Sequence, residues 1–211
     1  MREERIVVAG RELVIVRPDD PESLIDEERF EEDEFMPYWA ELWPSGLALA
    51  DYVARLDLAG QRVPELGCGL ALPSFAAALA GADVTATDWA PEALALVATN
   101  AEANGLQMPT ALVDWSAAPP LGLFGFDVVM AADVLYEERN AVPLLSMLAS
   151  VTSEQGTVLL ADPGRRHAPA FLDRARAEGW SIGHLPAARI PSGGIAVLRR
   201  ATSAADITTS C

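Results

Sequence analysis

Two segments of the chain place acidic residues and glycines where they could bind a nucleoside. An apolar run ends in Glu65-Leu-Gly67-Cys-Gly69, and a second apolar run ends in Asp88, nineteen residues after Gly69. Glycine lets the backbone turn sharply and approach a ligand closely. An acidic residue at the end of the following strand can accept hydrogen bonds from the hydroxyls of a ribose. The pattern therefore predicts a nucleoside-containing cofactor at one edge of a parallel α/β sheet.

The glycine spacing bears on which cofactor this would be. The dinucleotide fingerprint contains a third glycine, but Gly69 is followed by Leu70, Ala71 and Leu72, which disfavours NAD without excluding it. A carboxylate at Glu65, inside the turn, suits a cofactor with a positive charge and an amino acid group. S-adenosylmethionine fits that description, because it carries a sulfonium, an ammonium and a ribose. A tight turn and a helix-capping aspartate in a nucleotide-free domain are the structural alternative.

Several motifs together resemble one enzyme family. Glu65-Leu-Gly-Cys-Gly69 resembles motif I of class I methyltransferases that depend on S-adenosylmethionine. Four further stretches narrow the resemblance: Pro37-Tyr-Trp-Ala-Glu-Leu-Trp-Pro44, Asp114-Trp115, Ala132-Asp-Val-Leu-Tyr136 and Asp162-Pro-Gly-Arg165. Together they resemble the seven-β-strand protein-lysine methyltransferases of the electron-transfer-flavoprotein β-subunit type. Bacterial relatives of that type are often labelled predicted nicotinamide N-methylases. The resemblance runs from about Leu13 to Leu198.

The resemblance and the glycine turn together predict nine cofactor-binding residues. They are Trp43, Glu65, Gly67, Cys68, Gly69, Asp88, Asp114, Trp115 and Ala132. By resemblance, the glycine turn surrounds the methionine part, Asp88 holds the ribose hydroxyls, and Trp115 lies along the adenine with Asp114 near its exocyclic amine. For each tryptophan, packing in the core is the alternative, because large aromatic side chains dominate cores.

Asp133-Val-Leu-Tyr136 supplies the two candidate catalytic residues. The motif follows the predicted fourth core strand, at the carboxyl edge where ligands of open α/β sheets bind. Asp133 could orient an acceptor amine, and Tyr136 could offer a ring face or a hydroxyl. A helix-start aspartate with a half-buried tyrosine is the alternative. Arg165, after a Pro-Gly turn, could bind an acidic group of a partner or belong to a simple turn.

The expected reaction is methylation of a protein lysine. A lysine acceptor begins as an ammonium with a pKa near ~10.4, and desolvation in an apolar or aromatic pocket lowers that pKa. The Asp133-Val-Leu-Tyr136 motif differs from the Asn/Asp-Pro-Pro-Tyr pattern of methylases that act on planar amides or bases. This difference argues against DNA and glutamine substrates. The alternatives are a small-molecule N-methyltransferase, a non-catalytic cofactor-binding or interaction module, and an NAD-type oxidoreductase.

Alternation of strand and helix patterns from about residue 61 predicts an α/β fold. We expect a Rossmann-like, seven-stranded, mostly parallel sheet with helices on both faces, and the resemblance makes the last strand antiparallel. An N-terminal hairpin turning near Ala9-Gly10 and an acidic extension occupy residues 1–44, the methyltransferase domain occupies 45–200, and a disordered tail occupies 201–211. Ser45 is expected to cap the first helix. Pro64 is unexpected in a central strand, because it removes a ladder donor.

The composition and net charge of the chain limit which binding partners we expect. The 211-residue chain has a formal charge of −16, and residues 19–34 hold ten acids and one base. Such a charge repels phosphate backbones, so nucleic acid is an unexpected partner. A basic, lysine-bearing protein is favoured if the acidic segment is a steering surface rather than a solvated face. All fifteen basic residues are arginine, so a lysine methyltransferase of this sequence could not methylate its own side chains.

Cellular location follows from what the sequence lacks. No apolar run reaches the ~20 residues of a membrane helix, and the N-terminus has no secretory pattern. Cys68 and Cys211 do not make a disulfide framework, and no cysteine and histidine cluster has metal-ligand spacing. We therefore expect a cytoplasmic protein with neither a membrane partner nor a bound metal.

Overall fold

The computed structural model describes residues 1–20 and 37–201. Most of the acidic segment and the predicted disordered tail lie outside these described residues. The strands are β1 (Arg2–Val8), β2 (Arg11–Arg17), β3 (Arg62–Leu66), β4 (Asp83–Asp88), β5 (Thr110–Leu112), β6 (Phe126–Ala132), β7 (Thr152–Asp162), β8 (Trp180–Leu185) and β9 (Gly194–Arg200). The α-helices are α1 (Pro44–Val53), α2 (Leu72–Leu79), α3 (Pro91–Ala103), α4 (Ala141–Val151) and α5 (Ala168–Ala177).

Strands β3 to β9 form a seven-stranded sheet in the order β5-β4-β3-β6-β7-β9-β8. The pairs β3–β4, β3–β6, β4–β5 and β6–β7 are parallel, whereas β9 is antiparallel to both β7 and β8. This confirms the predicted fold class, including the antiparallel last strand. The chain moves outward from β3 to β5 and then returns to β6 on the other side of β3. The topological switch point, where ligands of open α/β sheets bind, therefore lies at the carboxyl ends of β3 and β6.

Helices cover both faces of the sheet because the central strands are apolar on both sides. On one face, α1, α2 and α3 contribute Leu49, Phe75 and Val97 to a buried apolar cluster. On the other face, α4 and α5 contribute Leu148 and Phe171 to a second cluster.

Within residues 1–20 and 37–201, no helix combines the length and the apolar character needed to cross a membrane.

The N-terminal hairpin packs on the α1–α3 face. It turns at Ala9 and Gly10, which have φ angles of 46° and 84°, and this confirms the predicted turn. Asn100 of α3 and Asn104, which immediately follows that helix, hold the free edge of β2. The Val16 amide donates to Asn100 Oδ1 at 2.7 Å, the Asn100 side-chain amide donates to the Val16 carbonyl at 3.1 Å, and Asn104 repeats this pairing with Val14. These two side chains pair with the backbone amides and carbonyls at the edge of β2, as a further strand would.

Two local features differ from expectation. Pro64 pairs in register with Thr85 of β4, but pairing with β6 begins only at Glu65. The proline therefore lies where β3 is paired on one side only, and a missing donor is tolerated there. The prediction that Ser45 caps the first helix was wrong, because α1 begins at Pro44 with Trp43 as its N-cap. Ser45 is buried, and its hydroxyl has a distant partner described below.

Candidate active site

A cleft of about 250 Å³ lies at the switch point of the sheet. It is bounded by the residues that follow β3, β4 and β6 and by the start of α1. The structure brings ten of the eleven predicted site residues to its walls: Trp43, Glu65, Gly67, Cys68, Gly69, Asp88, Trp115, Ala132, Asp133 and Tyr136. Residues that are far apart in the sequence therefore share one cavity.

The glycine turn after β3 requires glycine at two positions. Gly67 and Gly69 have φ angles of 68° and 50°, which side chains rarely adopt. A Cβ atom at Gly67 would lie 3.0 Å from the Trp115 ring and 3.1 Å from Val134, and one at Gly69 would lie 3.1 Å from the Trp39 carbonyl oxygen. The turn is therefore shaped by close approach of Trp115 on one side and of Trp39 on the other.

Asp88 connects the end of β4 to the glycine turn. Its Oδ2 accepts a hydrogen bond from the Gly69 amide at 2.9 Å, and its Oδ1 accepts one from the Ala90 amide at 3.0 Å. The side chain is buried, and burial raises the pKa of this carboxyl while the backbone hydrogen bonds oppose the shift. Asp88 therefore shapes the turn as well as lining the cleft, a role that the strand-end spacing did not indicate.

Glu65 is only 1% exposed and is held by the start of α2. Its Oε2 accepts hydrogen bonds from the Ser74 amide at 2.9 Å and the Ser74 hydroxyl at 2.5 Å. Burial raises the pKa of Glu65 to about 8, against the effect of the Ser74 hydrogen bonds. At neutral pH the carboxyl is therefore largely protonated in the absence of a bound cation. Its predicted role as a counter-charge for a cationic cofactor stays a prediction.

The Glu65 carboxyl is expected to make the chain less stable as pH rises from about 4.5 to about 8. The folded chain keeps this proton up to about pH 8, whereas the unfolded chain loses it near 4.5. The unfolded state therefore binds fewer protons in this window, and the free energy of unfolding falls with rising pH. In Glu65→Gln this contribution is absent. Urea unfolding at a series of pH values measures the free energy of unfolding of both proteins. The stability of the variant relative to the wild type should rise from about pH 4.5 to about pH 8 and stay constant at higher pH. A constant difference would contradict the shift.

Asp133 lies at the centre of a network that joins three elements. It has a φ of 59°, in the left-handed region that aspartate tolerates better than most residues. Its Oδ2 accepts a hydrogen bond from the Ser45 hydroxyl at 3.0 Å, and its Oδ1 accepts one from Arg165 Nε at 2.8 Å. The Arg165 guanidinium carbon lies 5.5 Å from the centre of the Trp43 ring, which places a cation over an aromatic face.

Three aromatic residues line the cleft near this network. The Tyr38 and Tyr136 rings lie 5.2 Å apart, and the Tyr38 and Trp43 rings lie 6.1 Å apart, both in edge-to-face geometry. Trp43 Nε1 donates to the Tyr38 carbonyl at 2.9 Å. Burial, with a smaller effect of the Glu137 charge, raises the pKa of Tyr136 to about 12. Tyr136 therefore offers a ring and a protonated hydroxyl at neutral pH.

Asp114 is the predicted site residue that does not line the cleft. It is exposed, and its Oδ1 accepts hydrogen bonds from the Ser116 amide at 2.8 Å and the Ser116 hydroxyl at 2.7 Å. These two hydrogen bonds lower the pKa of the Asp114 carboxyl. The neighbouring Trp115 does face the cleft, so the structure separates the two members of the predicted pair.

Sequence reasoning gave no role in the site to Tyr38 and Trp39, which line the cleft, or to Ser45, whose hydroxyl donates to Asp133 and which was expected to cap a helix. All three lie close to residues that are far away in the sequence, since Ser45 and Asp133 are 88 positions apart. Spacing along the chain carries no signal for such pairs.

Comparisons with known proteins agree with this geometry. The family model described as lysine methyltransferase matches residues 26–176. The chain is 38% identical over 133 residues to the electron transfer flavoprotein beta subunit lysine methyltransferase of Danio rerio, covering 61% of this chain and 51% of that protein. It is 34% identical over 131 residues to the EEF1A lysine methyltransferase 3 of Mus musculus, covering 60% and 56%. The chain thus spans about half the length of the curated relatives it matches.

Solved structures share the fold at lower sequence identity. The ribosomal protein L11 methylase of Lactobacillus delbrueckii subsp. bulgaricus superposes with a TM-score of 0.58 at 24% identity, over 72% of this chain and 77% of that one. The magnesium protoporphyrin IX methyltransferase of Synechocystis PCC 6803, with bound SAM, superposes with a TM-score of 0.57 at 18% identity, over 85% and 95%. Because the family model spans most of the chain and the fold agrees, the chain belongs to the lysine methyltransferase family.

Proposed function

We propose that this chain is a methyltransferase that uses S-adenosylmethionine to methylate a lysine side chain of a protein. The observation that carries the proposal is the shared cleft. Its glycine turn and Asp88 lie at the ends of β3 and β4, and Asp133 and Tyr136 follow β6 on the same edge of the sheet. A cofactor half and an acceptor half therefore meet in one cavity, as transfer between two bound groups requires.

The residues present fit the proposed cofactor. The backbone of Gly67 and Gly69 borders the cleft in a left-handed conformation, so a ligand could approach the main chain of this turn closely. Asp88 offers acceptors for ribose hydroxyls, and Trp115 offers a flat apolar surface for a base. The buried carboxyl of Glu65 could ionise beside a cation, which would lower its pKa. The chemistry that S-adenosylmethionine supplies when bound is methyl transfer, in which a nitrogen–carbon bond forms as a sulfur–carbon bond breaks.

The acceptor half suits an amine that must lose a proton. Tyr38, Trp43 and Tyr136 present aromatic surfaces that exclude water, and desolvation disfavours the ammonium form. The rings can also hold the cation before it loses its proton. Asp133 and the hydroxyl of Tyr136 provide polar groups that could orient the nitrogen. The protonated state of Tyr136 is compatible with this positioning role.

The substrate class follows from the relatives and from charge. The names of two relatives state that they act on the electron transfer flavoprotein beta subunit and on EEF1A. We infer that this chain also acts on a protein, and that the surface around its lysine is basic, since the chain carries a net charge of −16. The expected cytoplasmic location is part of the same proposal.

The test is methylation of host proteins with labelled cofactor. The purified chain is incubated with methyl-labelled S-adenosylmethionine and a lysate of its host, and proteins are separated from small molecules before hydrolysis. We expect label in protein bands and, after hydrolysis, in methylated lysine. Label confined to the low-mass fraction would favour a small-molecule acceptor. Calorimetric cofactor binding without any labelled product would favour a non-catalytic module.

A further inference from the structure

Arg165 borders two clefts. It lines the candidate active site, and it also lines a second cleft of about 440 Å³ between the end of β7, helix α5 and the β8–β9 pair. The second cleft is lined by Asp162 and Asp173 and also by Arg176 and His184, and Arg176 forms an ion pair with Asp173 at 2.8 Å. Among the described residues that line the candidate active site, Arg165 is the only basic one.

The Arg165 side chain covers the Asp133 carboxylate. The Asp133 side chain is 4% exposed, whereas that of Arg165 is 34% exposed, and Arg165 Nε lies 2.8 Å from Asp133 Oδ1. The second carboxylate oxygen, Asp133 Oδ2, already accepts a hydrogen bond from the Ser45 hydroxyl. A group that approaches Asp133 from the cleft therefore finds both oxygens engaged. Displacing the charge-assisted hydrogen bond from Arg165 requires a competing cation, because a neutral donor forms a weaker bond.

The backbone of Arg165 is held by hydrogen bonds, whereas its side chain could occupy either of two clefts. The amides of Gly164 and Arg165 both donate to Asp162 Oδ1, at 2.8 and 2.7 Å. A Cβ atom at Gly164 would lie 2.7 Å from the Ser192 carbonyl oxygen, so the loop is tightly packed. The side chain, in contrast, lies between two cavities. Rotation about its own bonds would move the guanidinium from Asp133 toward the second cleft, which Asp162 also lines, without moving the loop.

Building on the proposed function, we propose that Arg165 is a specificity-determining residue that holds the place of the acceptor ammonium on Asp133. A lysine entering the cleft replaces the guanidinium on the carboxylate and over the Trp43 ring, and Arg165 turns into the second cleft. Acceptors without a positive charge cannot make this exchange. The ammonium then releases its proton to solvent, and its lone pair forms the nitrogen–carbon bond as the sulfur–carbon bond breaks, leaving a neutral thioether.

The absence of lysine from the chain makes this proposal directly testable. In Arg165→Lys, the introduced ammonium would lie near the position of the guanidinium carbon, beside Asp133 and Trp43. We expect incubation with S-adenosylmethionine alone to methylate this introduced lysine, as read by intact mass and peptide mapping. Arg166→Lys is the matched control, because Arg166 is the next residue and its Nε donates to His167 at 2.8 Å. Its introduced lysine should stay unmodified.

A binding measurement without cofactor tests the same exchange independently of catalysis. Arg165→Ala uncovers Asp133, so n-butylammonium should bind roughly tenfold more tightly than to the wild type, since a hydrogen bond between charged groups no longer has to be broken. Quenching of tryptophan fluorescence reports the binding, and adding Asp133→Asn to the variant should remove the gain. Equal affinity in wild type and Arg165→Ala would overturn the exchange.

The results separate this proposal from the proposed function. If the wild type methylates lysates but the lysine introduced at position 165 stays unmodified in a variant that binds cofactor, the place-holding role of Arg165 is wrong. If the wild type labels no lysine in any protein, the proposed function itself fails. Methylation of the lysine introduced at position 166 to the same extent as that at position 165 would also overturn the assignment.

Discussion

Replacement of Asp88 with alanine should weaken S-adenosylmethionine binding by about a hundredfold or more. The side chain is the proposed acceptor for both ribose hydroxyls, and hydrogen bonds to a charged group contribute about 1.5–3 kcal/mol each. The same side chain also accepts from the Gly69 amide at 2.9 Å, so its removal loosens the turn that surrounds the methionine part. Loss of contacts and loss of turn geometry therefore act in the same direction.

The Asp88→Ala variant should also be less stable. It leaves the amides of Gly69 and Ala90 without their present acceptor, and a buried unpaired donor costs about 1–3 kcal/mol. Titration calorimetry measures the dissociation constant, and thermal unfolding monitors the fold. Asp88→Asn is the matched control, because it preserves the volume of the side chain and one carbonyl acceptor, and its loss of affinity should be smaller. An Asp88→Ala variant with wild-type affinity would show that the ribose assignment is wrong.

Replacement of Asp133 with asparagine should lower kcat by about a hundredfold and leave the cofactor dissociation constant nearly unchanged. Asparagine keeps the shape of the side chain at position 133 and tolerates the left-handed backbone conformation at φ 59°. Its side-chain oxygen can still accept a hydrogen bond from the Ser45 hydroxyl. Asparagine lacks the negative charge that holds Arg165 and that would stabilise the positive charge developing on the acceptor nitrogen as the nitrogen–carbon bond forms. An interaction used in the transition state but not in cofactor binding affects kcat selectively.

Comparison of Asp133→Asn with Asp133→Ala separates charge from structure. Alanine leaves the Ser45 hydroxyl and the Arg165 guanidinium without their partner, and it strains the backbone at a positive φ. We therefore expect the alanine variant to lose both activity and stability, by about 1–3 kcal/mol, and the asparagine variant to lose mainly activity. Full activity of the asparagine variant would contradict a role for the Asp133 charge.

The elements and their order were predictable because local signals agree with the global fold. The alternation of apolar strands and helices predicts the parallel sheet, and the Ala9-Gly10 turn predicts the hairpin. The glycine turn and Asp88 were identifiable because both lie at strand ends, where spacing of about one strand-helix unit brings them to the same edge. The antiparallel last strand came from family resemblance, since no local pattern distinguishes it.

The details that residue spacing could not reveal depend on side-chain direction, on distant partners and on burial. Ser45 lies in a good capping context, but the helix begins one residue earlier and the serine points to Asp133. Asp114 follows a strand end, as a ligand-binding residue would, yet it forms a local turn with Ser116. The Asp-x-Ser pattern was a signal for that turn. The protonation of Glu65 depends on burial, which residue spacing does not give.

A crystal structure of the chain with S-adenosylhomocysteine tests the proposed cofactor site most directly. We expect the ligand in the cleft at the ends of β3, β4 and β6, with its ribose hydroxyls on Asp88, its base against Trp115 and its amino acid part along Gly67 and Gly69. Its sulfur should face Asp133 and Tyr136. A ligand bound in the second cleft, or a cleft closed by the chain's own side chains when the ligand is present in excess, would contradict it.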